Sequence, residues 1–129
     1  MNATFSYCSK ITSIPQIDTS KVIDMEHAFS NCANLTSIPQ IDTSKVIDML
    51  YIFANDTNLT HIRFNPNANN IVDFDISYCK KMTREDIIGM FESLPTISKK
   101  VTITLNTTQL EKLTDEDKLI ATNKGYTLV

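Results

Sequence analysis

Apolar positions recur along the chain with a step of 24 residues. Phe5, Phe29 and Phe53 fall in register, as do Ile11, Leu35 and Leu59, and likewise Ile14, Ile38 and Ile62. Polar positions keep the same step, because "TSIPQIDTSKVIDM" is spelled identically at Thr12–Met25 and Thr36–Met49. A period of about 20 to 50 residues marks stacked repeats, each unit burying its apolar side only against its neighbours. A catalytic constellation needs one copy and a stacked cross-section needs several, so the repetition speaks of architecture first.

One turn, Leu35 to Phe53, resolves into elements. Leu35, Ile38 and Ile41 stand three apart, the spacing of a short bent strand, and Pro39, which lacks a backbone donor, belongs at its end. Asp42, Thr43 and Ser44 are helix-capping residue types. Val46, Met49, Leu50 and Phe53 follow at i, i+3, i+4 and i+7, which predicts a short helix with one buried face. "ANDTN" then turns the chain back. Asp42 and its twin Asp18 read as caps, not as catalytic acids.

Register slips after Ile62, where "RFNPNANN" is a polar turn-rich stretch. "IVDFDISYC" alternates as a strand, with Val72, Phe74 and Ile76 on one side. Thr83 and Asp86 spell a capping box opening a helix over "REDIIGMFESL", which Pro95 ends. "VTITL" is a β-branched strand. Thr114 and Asp117 repeat the capping pattern before a second helix that Gly125 stops, and "YTLV" is a last strand. Strands separated by helices imply parallel pairing through right-handed crossovers, continuing the repeat sheet.

The expected fold is therefore α/β: a right-handed, leucine-rich-repeat-like solenoid with 24-residue repeats and an α/β C-terminal cap. Residues 1–82 form about three turns, and residues 83–129 form the cap of the same domain. The first turn resembles the second and lacks the polar, atypical character of a terminal repeat. We therefore expect further repeats or another domain ahead of it in the natural protein, and self-association through the N-terminal face where that face is left bare.

Composition narrows the function. A net charge of −3, with acids and bases interspersed and no basic run, speaks against nucleic acid as partner. No apolar run reaches the roughly 20 residues that cross a bilayer, so membrane insertion is not expected. "MNATFSYCSK" shows no secretion signal. Two glycines and four prolines leave Asn, Asp, Ser and Thr to make most turns.

Candidate chemistry is sparse. Cys8, Cys32 and Cys79 cannot all pair, so buried reduced thiols are expected in place of a disulfide framework. Cys8 and Cys32 lie one turn apart, but the next position in that column is Asp56, and neither His27 nor His61 has metal-ligand spacing to a cysteine. No serine or cysteine nucleophile has an identifiable base, and no glycine-rich phosphate loop is present. Asp73 and Asp75 alternate along a strand, on a solvated face or capping a turn, so they do not make a hydrolytic carboxylate pair. The sequence thus predicts no enzyme, cofactor or metal. The sequons at Asn2, Asn34, Asn55, Asn58 and Asn106 follow from a composition rich in Asn and Thr.

The motifs carry a resemblance. "FSNCANLTSIPQIDTSKVIDM" is similar to the repeat of the BspA-type leucine-rich repeat proteins, with its Phe, Cys, Leu-Thr-x-Ile-Pro, Asp-Thr-Ser-x-Val and Asp-Met pattern. The match is close from Phe5 to about Phe53 and loose from Leu59 to Met82. The ending "KLTDEDKLIATNKGYTLV" is similar to the segment that often closes such arrays. This chain departs from the aromatic-rich variants in having no tryptophan.

The resemblance implies a bacterial surface or extracellular module that binds a protein or glycan ligand, in adhesion or protein–protein contact. It also allows the alternative of a structural or receptor-contact element in a phage or prophage tail. Between the two near-identical turns, Glu26, His27 and Ala28 differ from Leu50, Tyr51 and Ile52, and Tyr7, Ser9 and Lys10 from Asn31, Ala33 and Asn34. His27 and Tyr51 are the candidate ligand-binding residues, since tyrosine suits interfaces. The strand-side face competes equally.

Overall fold

Residues 24 apart in sequence lie beside one another in the computed structural model, which describes the whole chain, residues 1–129. Parallel bridges join Ser13 to Ser37, Ser37 to His61, and Asp24 to Asp48. On the other side of each turn the backbone N–H groups of Met25, His27, Phe29 and Asn31 donate to the carbonyls of Asp48, Leu50, Ile52 and Ala54, at 2.8 to 3.1 Å. Ala3, Phe5 and Tyr7 donate likewise to Glu26, Ala28 and Ser30, each at 2.9 Å.

Recurrence of one residue type per turn makes columns. The rings of Phe5 and Phe29 stack with centroids 5.8 Å apart, and those of Phe29 and Phe53 at 6.2 Å, both pairs within 12° of parallel. Phe29 and Phe53 are fully buried, and Phe5 only partly. Polar columns run alongside: Asn34 Nδ2 donates to the Ser9 carbonyl at 2.6 Å, and Asn58 Nδ2 to that of Ala33 at 2.5 Å. Asn55 bonds the Asn31 side chain and Asn2 those of Asp24 and Glu26, so four of the sequon asparagines are turn-to-turn ties.

The short helix expected over Val46–Phe53 does not form. Tyr51 and Asn55 have positive φ, as do His27 and Asn31 one turn earlier and Ala3 and Tyr7 before them. A left-handed residue every four positions breaks an α-helix. In its place run successive tight turns, with Ile52 N–H bonding the Met49 carbonyl and Ala54 N–H that of Tyr51. One turn earlier the alternate N–H groups of His27, Phe29 and Asn31 go to carbonyls of the neighbouring turn, so they serve no helical ladder. Asp18 and Asp42 accordingly cap no helix. Each accepts the backbone N–H two residues on, from Ser20 and Ser44, at 2.9 Å. The strand expected over Leu35–Ile41 is reduced to single bridges at Ser37 and Ile41.

After the third turn the chain builds β1 (Phe74–Asp75), α1 (Arg84–Ser93), β2 (Val101–Thr104), α2 (Thr107–Lys112), α3 (Asp115–Thr122) and β3 (Tyr126–Leu128). The three strands pair in parallel in the order β1-β2-β3. Each helix opens on a reciprocal capping box: Thr83 with Asp86, Asn106 with Gln109, and Thr114 with Asp117. The C-terminal end of α1 is met by Lys124, whose Nζ donates to the carbonyls of Phe91, Glu92 and Leu94. Ile87, Met90 and Phe91 of α1 join Val101, Ile103 and Tyr126 in the same apolar core as the phenylalanine column.

Candidate binding surface

His27 and Tyr51 stand one turn apart, and their rings stack with centroids 5.0 Å apart and planes 19° from parallel. Both residues have positive φ, 52° and 55°. Such backbone at a non-glycine residue often marks a functional site. Here it recurs at the equivalent Ala3, so it belongs to the turn and not to a ligand.

Large apolar side chains lie exposed on the same side of the molecule. Ile23 is 55 % exposed, Ile47 72 %, Leu50 52 % and Tyr51 46 %. Ile23 and Ile47 are neighbours across turns, since Ile47 donates its N–H to the Ile23 carbonyl at 2.8 Å. Their identity in both copies suggests packing; the structure puts both outside. Leu50 is likewise expected on a buried helix face. With the helix replaced by tight turns, Ile52 goes fully inside and Leu50 out. Ala28, matched to Ile52, is buried too, so of the positions that differ between the turns, 28 and 52 belong to the core.

Beside this patch runs a groove. One cavity of about 470 Å³ lies between Ile47–Leu50 and the Asp73, Lys99 and Lys100 side, and a second of about 260 Å³ continues it past Tyr51 to Phe74, Asp75 and Thr104. The groove lies where β1, paired with β2 on one edge, makes no backbone bond to the third turn on the other. Phe74 pairs with Ile103, Ile76 N–H bonds the Thr104 carbonyl at 3.0 Å, and Thr102 N–H bonds Asp73 Oδ1 at 2.7 Å. Asp75 holds the Ser77 N–H at 2.7 Å. Both carboxylates thus serve backbone donors.

The three cysteines are free thiols. Burial pushes the Cys32 thiol up to about 11 and that of Cys79 further still, so neither is a thiolate nucleophile near neutral pH. Asp56, in register with Cys8 and Cys32, is fully buried. Its Oδ1 accepts the Cys32 N–H at 2.7 Å and its Oδ2 has no partner. Desolvation raises its carboxyl to about 7, against the pull of that N–H. No three histidine, cysteine, aspartate or glutamate side chains converge as a metal-ion ligand set. No helix is long and apolar enough to cross a membrane.

Sequence reasoning singles out His27 and Tyr51, which the structure stacks on one another, but passes over the exposure of Ile23, Ile47 and Leu50, because an apolar side chain in a repeat is assigned to the core by default. No curated protein and no solved structure matches the chain. The model of the family described as "Mycoplasma protein of unknown function, DUF285" matches residues 1–124, and the chain belongs to that family.

Proposed function

We propose that this chain is a non-enzymatic binding module, a right-handed leucine-rich-repeat-like solenoid of the BspA type that takes part in adhesion or protein–protein contact at a bacterial surface. The 24-residue ladder of backbone bonds and the phenylalanine column support the solenoid reading. The Mycoplasma description of the family supports a bacterial setting. One observation carries the binding reading: Ile23, Ile47, Leu50 and Tyr51 are exposed together beside the His27–Tyr51 stack. Contiguous apolar surface rimmed by polar groups marks an interaction site, and exposed aromatic residues are the usual anchors of such contacts.

The test is a binding screen of the chain against host matrix proteins and glycans, alongside an Ile23→Ser, Ile47→Ser, Tyr51→Ser triple variant. A ligand held by the wild type and lost by a folded variant supports the reading. No binding above background by the wild type, or equal binding by both, overturns it.

A further inference from the structure

In the first two turns a row of backbone N–H groups is consumed by the next turn; in the third it is not. Met25, His27, Phe29 and Asn31 each donate to a carbonyl 23 residues on. Their counterparts Met49, Tyr51, Phe53 and Asn55 find no acceptor anywhere in the chain, on backbone or side chain. The segment that follows them in the stack is β1, which pairs with β2 on its far edge but makes no backbone bond to this row, and the groove lies in between. Met49 and Tyr51 line that groove. An unpaired row of backbone donors is a template for another main chain.

We propose that the groove takes a segment of a partner polypeptide, whose alternate carbonyls accept from Met49 and Tyr51 and so complete the ladder that β1 leaves open. The inference rests on the binding-module reading and names the chemistry of its partner. The occupant is a polypeptide and not a glycan because the same donor row, one turn earlier, is filled by backbone carbonyls two residues apart. Recognition by adding to an open backbone edge draws affinity from the main chain and specificity from side-chain pockets.

The walls specify the rest. Ile47 and Leu50 call for an apolar side chain at the centre of the segment. The same cavity carries Asp48 and Asp73, each accepting a backbone N–H, and Lys99, tied to the Asn70 side chain. Lys100 makes no hydrogen bond or ion pair within the chain, so an acidic residue is favoured on the segment only where it meets Lys100.

The probe is a synthetic peptide copying Val46–Asn55, the stretch that fills the equivalent row one turn earlier, added to the full chain labelled for amide hydrogen exchange. In the free chain the bonded Met25 and His27 amides should exchange more slowly than the unbonded ones of Met49, which is nearly buried, and Tyr51, which is exposed. Saturating peptide should slow the latter pair roughly tenfold or more. A peptide with ester linkages at the carbonyls matching Asp48 and Leu50, which are weaker acceptors, should protect them less. Three results overturn the inference: unchanged exchange at Met49 and Tyr51 with the amide peptide, equal protection by the ester peptide, or protection that rises with chain concentration alone, which would make the occupant a second copy. A screened protein that needs Ile23 and Ile47 but leaves the Met49 and Tyr51 amides fast would sink the groove and leave the module reading standing.

Discussion

Asp56 accepts the backbone N–H of Cys32 across two neighbouring turns, at 2.7 Å, with its second oxygen unpartnered in the core. Its charge adds to the upward push that burial gives the Cys32 and Cys79 thiols. Burial raises this carboxyl from 3.8 to about 7. The folded chain therefore holds a proton that the unfolded chain has released, between about pH 4 and pH 7. The contribution of this one group is fully present below the unfolded value and is lost as pH rises to and through the folded one, by up to about 4 kcal/mol. Asp18, Asp24, Asp42 and Asp117 are shifted downward and act only at more acidic pH. Urea midpoints at about pH 5 and pH 8 span the larger part of the Asp56 titration. The wild type should be weaker at the higher pH and Asp56→Asn nearly flat; a flat wild type would refute the assignment.

Replacing Asp56 with cysteine gives the column the residue it has at Cys8 and Cys32. The Cys8 backbone amide lies against the Cys32 sulfur much as the Cys32 amide lies against Asp56. A buried thiol stays neutral where the carboxylate must ionise. Asp56→Cys should therefore raise the denaturation midpoint at pH 8 and change it little at pH 5. A lower midpoint at both would show that the carboxylate is structurally required.

The phenylalanine column sets a gradient of cost. Phe29 is buried between two stacked rings, and Phe29→Ala should cost about 3–5 kcal/mol. Phe5 has one stacked neighbour and is partly exposed, so Phe5→Ala should cost about half as much. Equal losses in chemical denaturation would mean that the Phe5 side of the molecule is packed as tightly as its interior.

Much of the fold is legible in the sequence because columns force sequence identity. A stacked turn must place the same residue type at the same position, so Phe5, Phe29 and Phe53 display the 24-residue register in the amino-acid order itself. Two of the three helix starts are equally plain in the Thr83 and Thr114 capping boxes. The third, Asn106 with Gln109, obeys the same rule and escapes notice because the helix it opens is six residues long. The short repeat helix is a false reading: i, i+3, i+4 spacing also arises where tight turns follow one another. The signal against it is Asn31 and Asn55, each four residues after His27 and Tyr51, since asparagine tolerates the left-handed region. The groove has no local signal at all. It depends on how β1, held on one edge by β2 some 30 residues on, is set against the third turn on its other edge.

Gly125 and Gly89 should respond differently to alanine. Gly125 has φ +105°, and a Cβ there would meet the Ile97 carbonyl oxygen at 2.6 Å. That carbonyl cannot retreat easily, because Ile97 N–H is itself bonded to the Lys124 carbonyl at 2.9 Å. Gly125→Ala should cost about 1–3 kcal/mol. At Gly89 the obstacle is the guanidinium of Arg63, the far end of a flexible side chain. Its displacement offsets the gain of about 1 kcal/mol expected for alanine within a helix, so Gly89→Ala should leave the thermal midpoint nearly unchanged. A midpoint drop matching that of Gly125→Ala would mean that Arg63 is fixed in place.

The His27–Tyr51 stack separates folding from binding. Tyr51 is exposed and His27 half-buried outside the apolar core, so the pair contributes about 0.5–1.5 kcal/mol, and both positions should tolerate truncation without loss of the core. His27→Ala removes the ring that supports Tyr51 and frees the tyrosine to move. Tyr51→Phe keeps the stack and loses only the hydroxyl. For a partner identified in the binding screen, affinity should fall several-fold in His27→Ala and more in Tyr51→Ala, with midpoints within about 1 kcal/mol of wild type. Tyr51→Phe then decides how the ring acts. Retained affinity assigns the contact to its apolar face beside Leu50, whereas a loss equal to that of Tyr51→Ala assigns it to a hydrogen bond from the hydroxyl.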